Sequence, residues 1–334
     1  MNFNEIRDNL AKLEDIAFIR IKESKVNNPF FSIAIPTFKR AEDLRNTINT
    51  ALNQDTNISY EVIVVDNNPD RNDDTEILLN EYNSERLSYC KNEQNVGMVA
   101  NWNRCLMLAR GEWVVYCHDD DLLEPTALTS ILKMIQKNPN SKAITSRLKQ
   151  VNNPYTKASV ASNTIINTAN AKALKRRKWR RLIGKIVSVF IMPGLPVAGN
   201  LFHDNIYGPP TCGLSVKRKT MIEFGGWWDE YIISDWITMI AFTKKYKAIK
   251  NKERTGTYIW KQNASMKQEV IKKMSIERKE IIKSLPNISA LCGLYTKIFN
   301  FDFERKMNEE IIVFDGKRSL IFRLFQKYYG LRIQ

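Results

Sequence analysis

The chain has 334 residues, 43% hydrophobic and 26% charged, enough to bury a sizeable core, which excludes wholesale disorder. Its net charge of +15 is divided unevenly: residues 1–124 hold 13 Lys/Arg against 22 Asp/Glu, whereas residues 125–203 hold 14 basic residues and no acid. That division excludes a generic nucleic-acid binder and points to local work for the acids, with an anionic partner for the basic remainder.

The first 23 residues carry Ile6, Leu10, Leu13, Ala17 and Ile21 at spacings of four and three, which predicts an amphipathic N-terminal helix within residues 1–29. The same stretch lacks the basic lead and apolar centre of a secretion signal, and no apolar run reaches the roughly 18–20 residues of a membrane span. Five scattered cysteines without CxxC spacing argue against a zinc site or a disulfide framework. The chain reads as cytoplasmic. FFSIAIP (30–36) and YEVIVVD (60–66) are near-continuous, β-branched apolar runs, the pattern of strands buried on both faces. RLSYCKN (86–92) and EWVVYCHDDD (112–121) read as a third and a fourth strand, with helices at 41–52, 75–82 and 99–109 between them. Alternation of this kind describes an α/β fold with a mostly parallel, doubly wound sheet, whose ligands bind beyond the carboxyl ends of the strands. Past Leu148 the pattern loosens into a polar and basic insertion (about 150–200), a Gly/Trp-rich stretch (207–230), a helix from Asp235 to Lys245, and a basic, mostly helical extension (246–334).

Three consecutive carboxylates, Asp119, Asp120 and Asp121, stand at the end of the fourth strand. Adjacent carboxylates repel unless a cation is present, and Mg²⁺ or Mn²⁺ takes one or two carboxylates plus phosphate oxygens. The plainer reading is an acidic turn that caps the next helix. The register with two other polar strand ends, Pro36-Thr37 and Asp66-Asn67, favours the metal. Asp66 alone reads as a turn residue or as an acceptor for a base or ribose. Asn95-Val96-Gly97 reads as a tight turn whose amides can approach a ligand. Asp235, at a helix start, is either a cap or a general base. His118 abuts the acids, and its role stays open.

Taken together, SIAIPTFKR, YEVIVVDNN, NVGMVANWNRCLMLARGEW, CHDDDLLEP and GGWWDEYIISDW resemble, in order and spacing, the inverting GT-A glycosyltransferases of family 2 over about residues 30–245. The resemblance implies a GT-A catalytic domain split into a nucleotide-binding half (30–124) and an acceptor half (125–245). It implies that Pro36, Thr37 and Arg40 line the nucleotide end of the cleft and that Asp66 binds the base. Asn95 and Gly97 would cover the nucleotide, with Asn103 nearby. Asp119 and Asp120 would contact ribose and metal, with Asp121 beside them as a third metal ligand. Asp235 would be the catalytic base. Two positions depart from the pattern: Ser234 stands where the family has glutamate, and His118 holds the first position of Asp-x-Asp-Asp. The implied donor is a nucleotide-diphosphate sugar, UDP favoured, and the implied cofactor Mn²⁺ or Mg²⁺. The acceptor would be a hydroxyl of a cell-surface glycan, a polyprenol-linked precursor or an anionic polymer.

A nucleotidyltransferase would use a similar sheet, but it usually carries a glycine-rich loop, and residues 36–45 contain no glycine. A degenerate glycan-binding relative is the other alternative, suggested by Ser234. Eight Lys/Arg within 172–185, and a C-terminal segment with Leu320, Ile321, Leu324, Phe325 and Tyr328 on one face among basic residues, both suit an anionic membrane surface. Either is equally a solvated charged face.

Overall fold

The computed structural model describes residues 7–151, 211–259 and a few positions between 270 and 277. A nine-stranded mixed sheet, ordered β1-β4-β3-β2-β5-β8-β7-β9-β6, organises the main compact unit. Its parallel centre comprises β2 (Phe31–Thr37), β3 (Tyr60–Asp66), β4 (Leu87–Asn92) and β5 (Trp113–Tyr116). Strand-end residues pair in step, so Thr37 lies opposite Asp66, and Asp66 opposite Lys91.

Both faces are covered, which explains why the central strands read as unbroken apolar runs. Phe31, Ile33, Ile35, Val62 and Val64 pack with Leu44 and Ile48 of α1 (Ala41–Leu52), Leu78 and Leu79 of α2 (Asp74–Asn80), and Leu128 and Ile131 of α4 (Ala127–Lys137). The alternate residues Ala34, Ile63, Val65 and Val114 pack with Val99, Trp102 and Leu106 of α3 (Met98–Leu108). Met221 of α5 (Arg218–Glu223) and Met239 and Phe242 of α6 (Ser234–Lys245) complete that face.

The flanks correct the sequence reading in two places. Residues 7–23 do not form the expected amphipathic helix. Leu10 and Leu13 belong to a single 3₁₀ turn (Ala11–Leu13), whose entry is held by Asp8 Oδ1 accepting the Leu10 and Ala11 amides, both at 3.1 Å. The chain then extends as β1 (Phe18–Lys22), antiparallel to β4. Without β1 the edge of β4 would stand open, and pairing of Phe18, Ile19, Arg20 and Lys22 there overrides the helical spacing. In the same way the helical extension does not begin at 246: Ala248–Ile259 is β9, parallel to β7 (Ala143–Val151) and antiparallel to β6 (Leu122–Leu123). β9 is buried only in patches, and its exposed Lys250, Lys252, Glu253 and Arg254 hide the strand in the sequence. β8 (Ser215–Lys217) joins β5 to β7 with antiparallel pairing on both sides.

The start of α2 carries a test of fold stability. Asp73 Oδ1 accepts the Glu76 amide at 3.0 Å, and the Glu76 carboxylate reaches back to the Asn72 amide at 2.9 Å, a reciprocal cap. Arg71 pairs with the same carboxylate at 2.7 Å. Those Arg71 bonds, which outweigh burial, hold Glu76 down at about 2 against an ordinary 4.5. A depressed acid stabilises the fold fully above its unfolded value, so this contribution is present above pH 4.5 and is lost as pH falls toward 2. Urea unfolding of Glu76→Gln should therefore show a flatter pH dependence through that window than the parent chain. Parallel profiles would refute the assignment.

Candidate active site

The cleft opens where β5 stops. β5 pairs with β2 only as far as Ala34–Tyr116, and the Cys117 amide makes the last bond, to the Ala34 carbonyl at 3.0 Å. Pro36 thus sits where β2 keeps a neighbour on the β3 side only, a place that tolerates a residue with no amide proton. Past this point the chain from β5 turns away as His118-Asp119-Asp120-Asp121. The Thr47 hydroxyl of α1 holds the turn, lying 3.0 Å from the Asp119 carbonyl and 2.8 Å from that of Asp121.

Thr37 and Arg40 meet these acids. The Thr37 hydroxyl donates to Asp119 Oδ2 at 2.8 Å. Arg40, at the start of α1, puts Nη1 2.5 Å from Asp120 Oδ2 and 3.6 Å from Asp119 Oδ1. Burial pushes the Asp119 carboxyl up to about 6 despite Arg40. Burial, then the charge of Asp120, raises Asp121 well above the usual carboxylate range. Two acids so disfavoured as anions form a place for added positive charge.

The ligand atoms of His118, Asp120 and Asp121 lie within 4.8 Å of one another. Asp121 is fully buried; its Oδ1 accepts the Ile259 amide at 3.2 Å, whereas its Oδ2 and His118 Nε2 have no hydrogen-bond partner. Carboxylate oxygens with an enclosed, unpartnered atom suit a divalent cation, so the residues fit one. Burial, ahead of the opposing pull of Asp120, lowers the His118 pKa and favours the neutral ring that can ligate.

Asp66 is placed otherwise than the resemblance implies. It is 0% exposed and both oxygens are engaged: Oδ1 accepts the Asn68 amide at 2.9 Å, while Oδ2 meets the Tyr89 hydroxyl at 3.0 Å and Lys91 Nζ at 3.1 Å. Lys91, 1% exposed, also reaches the Asp70 carbonyl and Asp73. This network braces the strand end and does not present a carboxylate to a ligand. Asn103 likewise turns inward, its amide clamping the Trp227 backbone by bonds of 2.9 and 2.7 Å.

The exposed groups around the strand ends come from elsewhere. Asn67 donates its amide protons to Asn95 Oδ1 at 2.8 Å and to the Gly97 carbonyl at 3.2 Å, accepts from the Val96 amide at 2.9 Å, and donates its own backbone amide to Thr37 at 2.9 Å. One asparagine therefore ties the Asn95–Gly97 turn to the end of β2. Gly97 holds φ +88°, where side chains are strained. Phe38 and Met98, each next to a residue that Asn67 holds, are 41% and 55% exposed. Sequence reading missed Asn67, Thr47, Phe38 and Met98. Phe38 had a legible signal, an aromatic immediately after a buried strand that ends in Pro-Thr.

Asp235 opens α6, partly exposed. Its Oδ1 accepts the Trp236 amide at 2.9 Å and its Oδ2 the Thr211 hydroxyl at 3.4 Å. The next residue, Cys212, places its sulfur 3.9 Å from that of Cys117, beside His118. Ser234, at the departed glutamate position, is fully buried with an unpartnered hydroxyl. The loop before α6 is strapped by the N-terminal segment. Asn9 donates to the Gly225 carbonyl at 3.0 Å, Lys12 pairs with Asp229 at 2.7 Å, and Arg7 pairs with Glu230 and lies 4.3 Å over Trp228.

The family model for glycosyl transferase family 2 matches residues 32–191. WcaA of Escherichia coli (strain K12), named for colanic acid biosynthesis, is 33% identical over 106 residues, 32% of this chain and 38% of WcaA. The chain thus spans well under half the length of this curated relative. Among solved structures, the mannosyltransferase PcManGT of Pyrobaculum calidifontis, in complex with GDP-Man and Mn²⁺, aligns at TM-score 0.56 and 16% identity, covering 86% of this chain and 77% of that one. Staphylococcus aureus TarS 1-349 with UDP-GlcNAc aligns at 0.51 and 16%, covering 82% and 71%. These two likenesses concern the GT-A fold.

Proposed function

We propose that this chain, which belongs to glycosyl transferase family 2, moves a sugar from a nucleoside-diphosphate donor to a hydroxyl of a surface glycan or its lipid-linked precursor, inverting the anomeric centre. The observation that carries the reading is the meeting of Thr37 and Arg40 with Asp119 and Asp120 beyond the carboxyl ends of β2 and β5. Arg40 offers fixed positive charge to the diphosphate, and Asp119, oriented by Thr37, faces the ribose. Phe38 and Met98 offer apolar surface to the base, beside the Asn95–Gly97 turn. Asp120 and Asp121, with His118 beside them, would hold a divalent cation. When bound, such an ion supplies charge that stabilises the departing diphosphate.

Asp235 takes the proton of the acceptor hydroxyl as that oxygen attacks the anomeric carbon from the face opposite the leaving group. Its bonds to the Trp236 amide and the Thr211 hydroxyl aim the carboxylate. A single displacement through an oxocarbenium-like transition state turns an α-linked donor into a β-linkage.

A UDP-sugar is the first donor to try, in line with the ligand carried by the TarS neighbour. Thermal melts with UDP, GDP, CDP and dTDP, with and without Mn²⁺, test the site. A ligand at a hundredfold excess over its dissociation constant stabilises by about 2.7 kcal/mol. One nucleotide should raise Tm in a metal-dependent way; no shift with any would refute a donor site and favour a degenerate relative.

The acceptor class follows the name of WcaA and the basic charge outside the acidic third. The basic segments 172–185 and 317–328 lie outside the described residues, and no helix among the described residues is long and apolar enough to cross a membrane. Their charge supports a peripheral seat on the anionic cytoplasmic leaflet. Co-flotation with anionic vesicles at low salt, lost at high salt, is the expected result, and its absence would sink the membrane placement.

A further inference from the structure

We infer that His118 is itself a ligand of the divalent cation, so that this site binds through a nitrogen beside Asp120 and Asp121 and takes manganese in preference to magnesium. The inference rests on the donor site proposed above and adds to it the identity of the third ligand and of the ion.

Asp119 is held by Thr37 at 2.8 Å and stands outside the cluster of His118, Asp120 and Asp121, in which Asp120 also meets Arg40 at 2.5 Å. His118 Nδ1 lies 3.9 Å from Asp121 Oδ2, too far for a hydrogen bond. Ligands of one octahedral ion with bonds of about 2.1 Å stand about 3.0 Å apart when adjacent and about 4.2 Å apart when opposite, so both atoms are within reach of one ion after a small shift. Asp121 is fully buried, and neither its Oδ2 nor His118 Nε2 has a hydrogen-bond partner. A buried carboxylate oxygen without a partner is costly unless a cation meets it, and Nδ1, the imidazole nitrogen nearest that oxygen, can meet the same ion.

The ring is also held in place. It stacks on Trp102, with centroids 5.4 Å apart and planes 29° apart, and Trp102 in turn packs edge-on against Trp227 at 5.7 Å. Ligating histidines are usually oriented by a hydrogen bond from the second ring nitrogen; here packing against α3 supplies that orientation.

The choice of ion follows from donor chemistry. Magnesium is hard, prefers oxygen and keeps much of its water, whereas imidazole suits first-row transition ions. Replacing a hard oxygen by a nitrogen removes one negative charge from the site. That loss weakens magnesium more than manganese.

Mn²⁺ bound to the full chain with UDP, and in parallel with GDP, is read by electron paramagnetic resonance. Three-pulse echo modulation should show coupling to a ¹⁴N nucleus in the parent protein. His118→Ala should lose it, with Mn²⁺ affinity falling about 10- to 100-fold. His118→Asp should narrow the preference for Mn²⁺ over Mg²⁺ measured by competition. Bound Mn²⁺ without ¹⁴N coupling in the parent protein, which needs no variant to fold, overturns the role of His118 and leaves the donor site standing. Mn²⁺ that fails to bind with either nucleotide overturns both.

Discussion

An Asp235→Asn variant should turn over about 100- to 10,000-fold more slowly than the parent chain and bind donor nucleotide as well. Asparagine keeps the shape of the side chain and one carbonyl oxygen, so a bond to the Trp236 amide or to Thr211 survives the change. What disappears is the anionic oxygen able to take a proton from the acceptor. The donor end, built from Thr37, Arg40, Asp119 and Asp120, is untouched. The measurement is a pair: release of nucleoside diphosphate in the presence of acceptor, and the nucleotide-dependent rise in Tm. A variant that loses the Tm rise yet keeps its rate would remove Asp235 from the role of base.

Gly225→Ala should lower stability by about 3 kcal/mol or more, and Tm by about 10 °C in a domain of this size. The residue holds φ +90°, and a β-carbon there would stand 1.6 Å from the Arg7 carbonyl oxygen and 2.7 Å from its carbon. The obstacle is backbone, so no rotamer relieves it; either the strap lifts or the loop shifts. Gly97→Ala supplies the contrast. Its φ is +88°, but nothing lies within 4 Å of the added carbon, so only backbone strain of about 1–3 kcal/mol applies. Urea melts of the two variants separate steric conflict from strain. Equal losses would mean that contact between strap and loop contributes little.

The parallel centre was legible because β2, β3 and β5 are buried on both faces and mostly apolar, whereas β4 was read from a mixed LSYCKN. YEVIVVD coincides with β3 residue for residue, β2 is shifted by one residue at each end, β4 starts one residue late, and β5 covers only 113–116 of the expected 112–121. The flanking strands were not legible. β1 and β9 are only partly buried, mix lysine with β-branched residues and take their conformation from neighbouring strands. In the site, the meeting of Thr37 and Arg40 with the acids follows from strands ending in register. The fate of Asp66 could not be read off in that way. Its partner, Lys91, lies 25 positions away and arrives opposite only because β3 and β4 pair as they do. Nor does any spacing in the sequence reveal that Asn67, a residue with no strong motif, holds the turn at Asn95–Gly97.

The strap also sets the order in which the protein can be completed. Asn9 and Gly225 are 216 positions apart, yet they share a hydrogen bond. Closing so long a loop adds only slowly to the entropic cost, but it cannot happen before Gly225 exists. On the ribosome, strands β1 to β5 and the three acids emerge with all their mutual partners well before the loop that leads to Asp235. The contacts of Thr37 and Arg40 with Asp119 and Asp120 can thus form while Lys12 still lacks Asp229, whereas the bond from the Ile259 amide to Asp121 comes later. Bonding of residues 7–12 to residues 225–230 is what ties down the base-bearing loop, so a chain lacking residues 7–12 would keep the contacts of Thr37 and Arg40 with the acids while losing the strap on that loop.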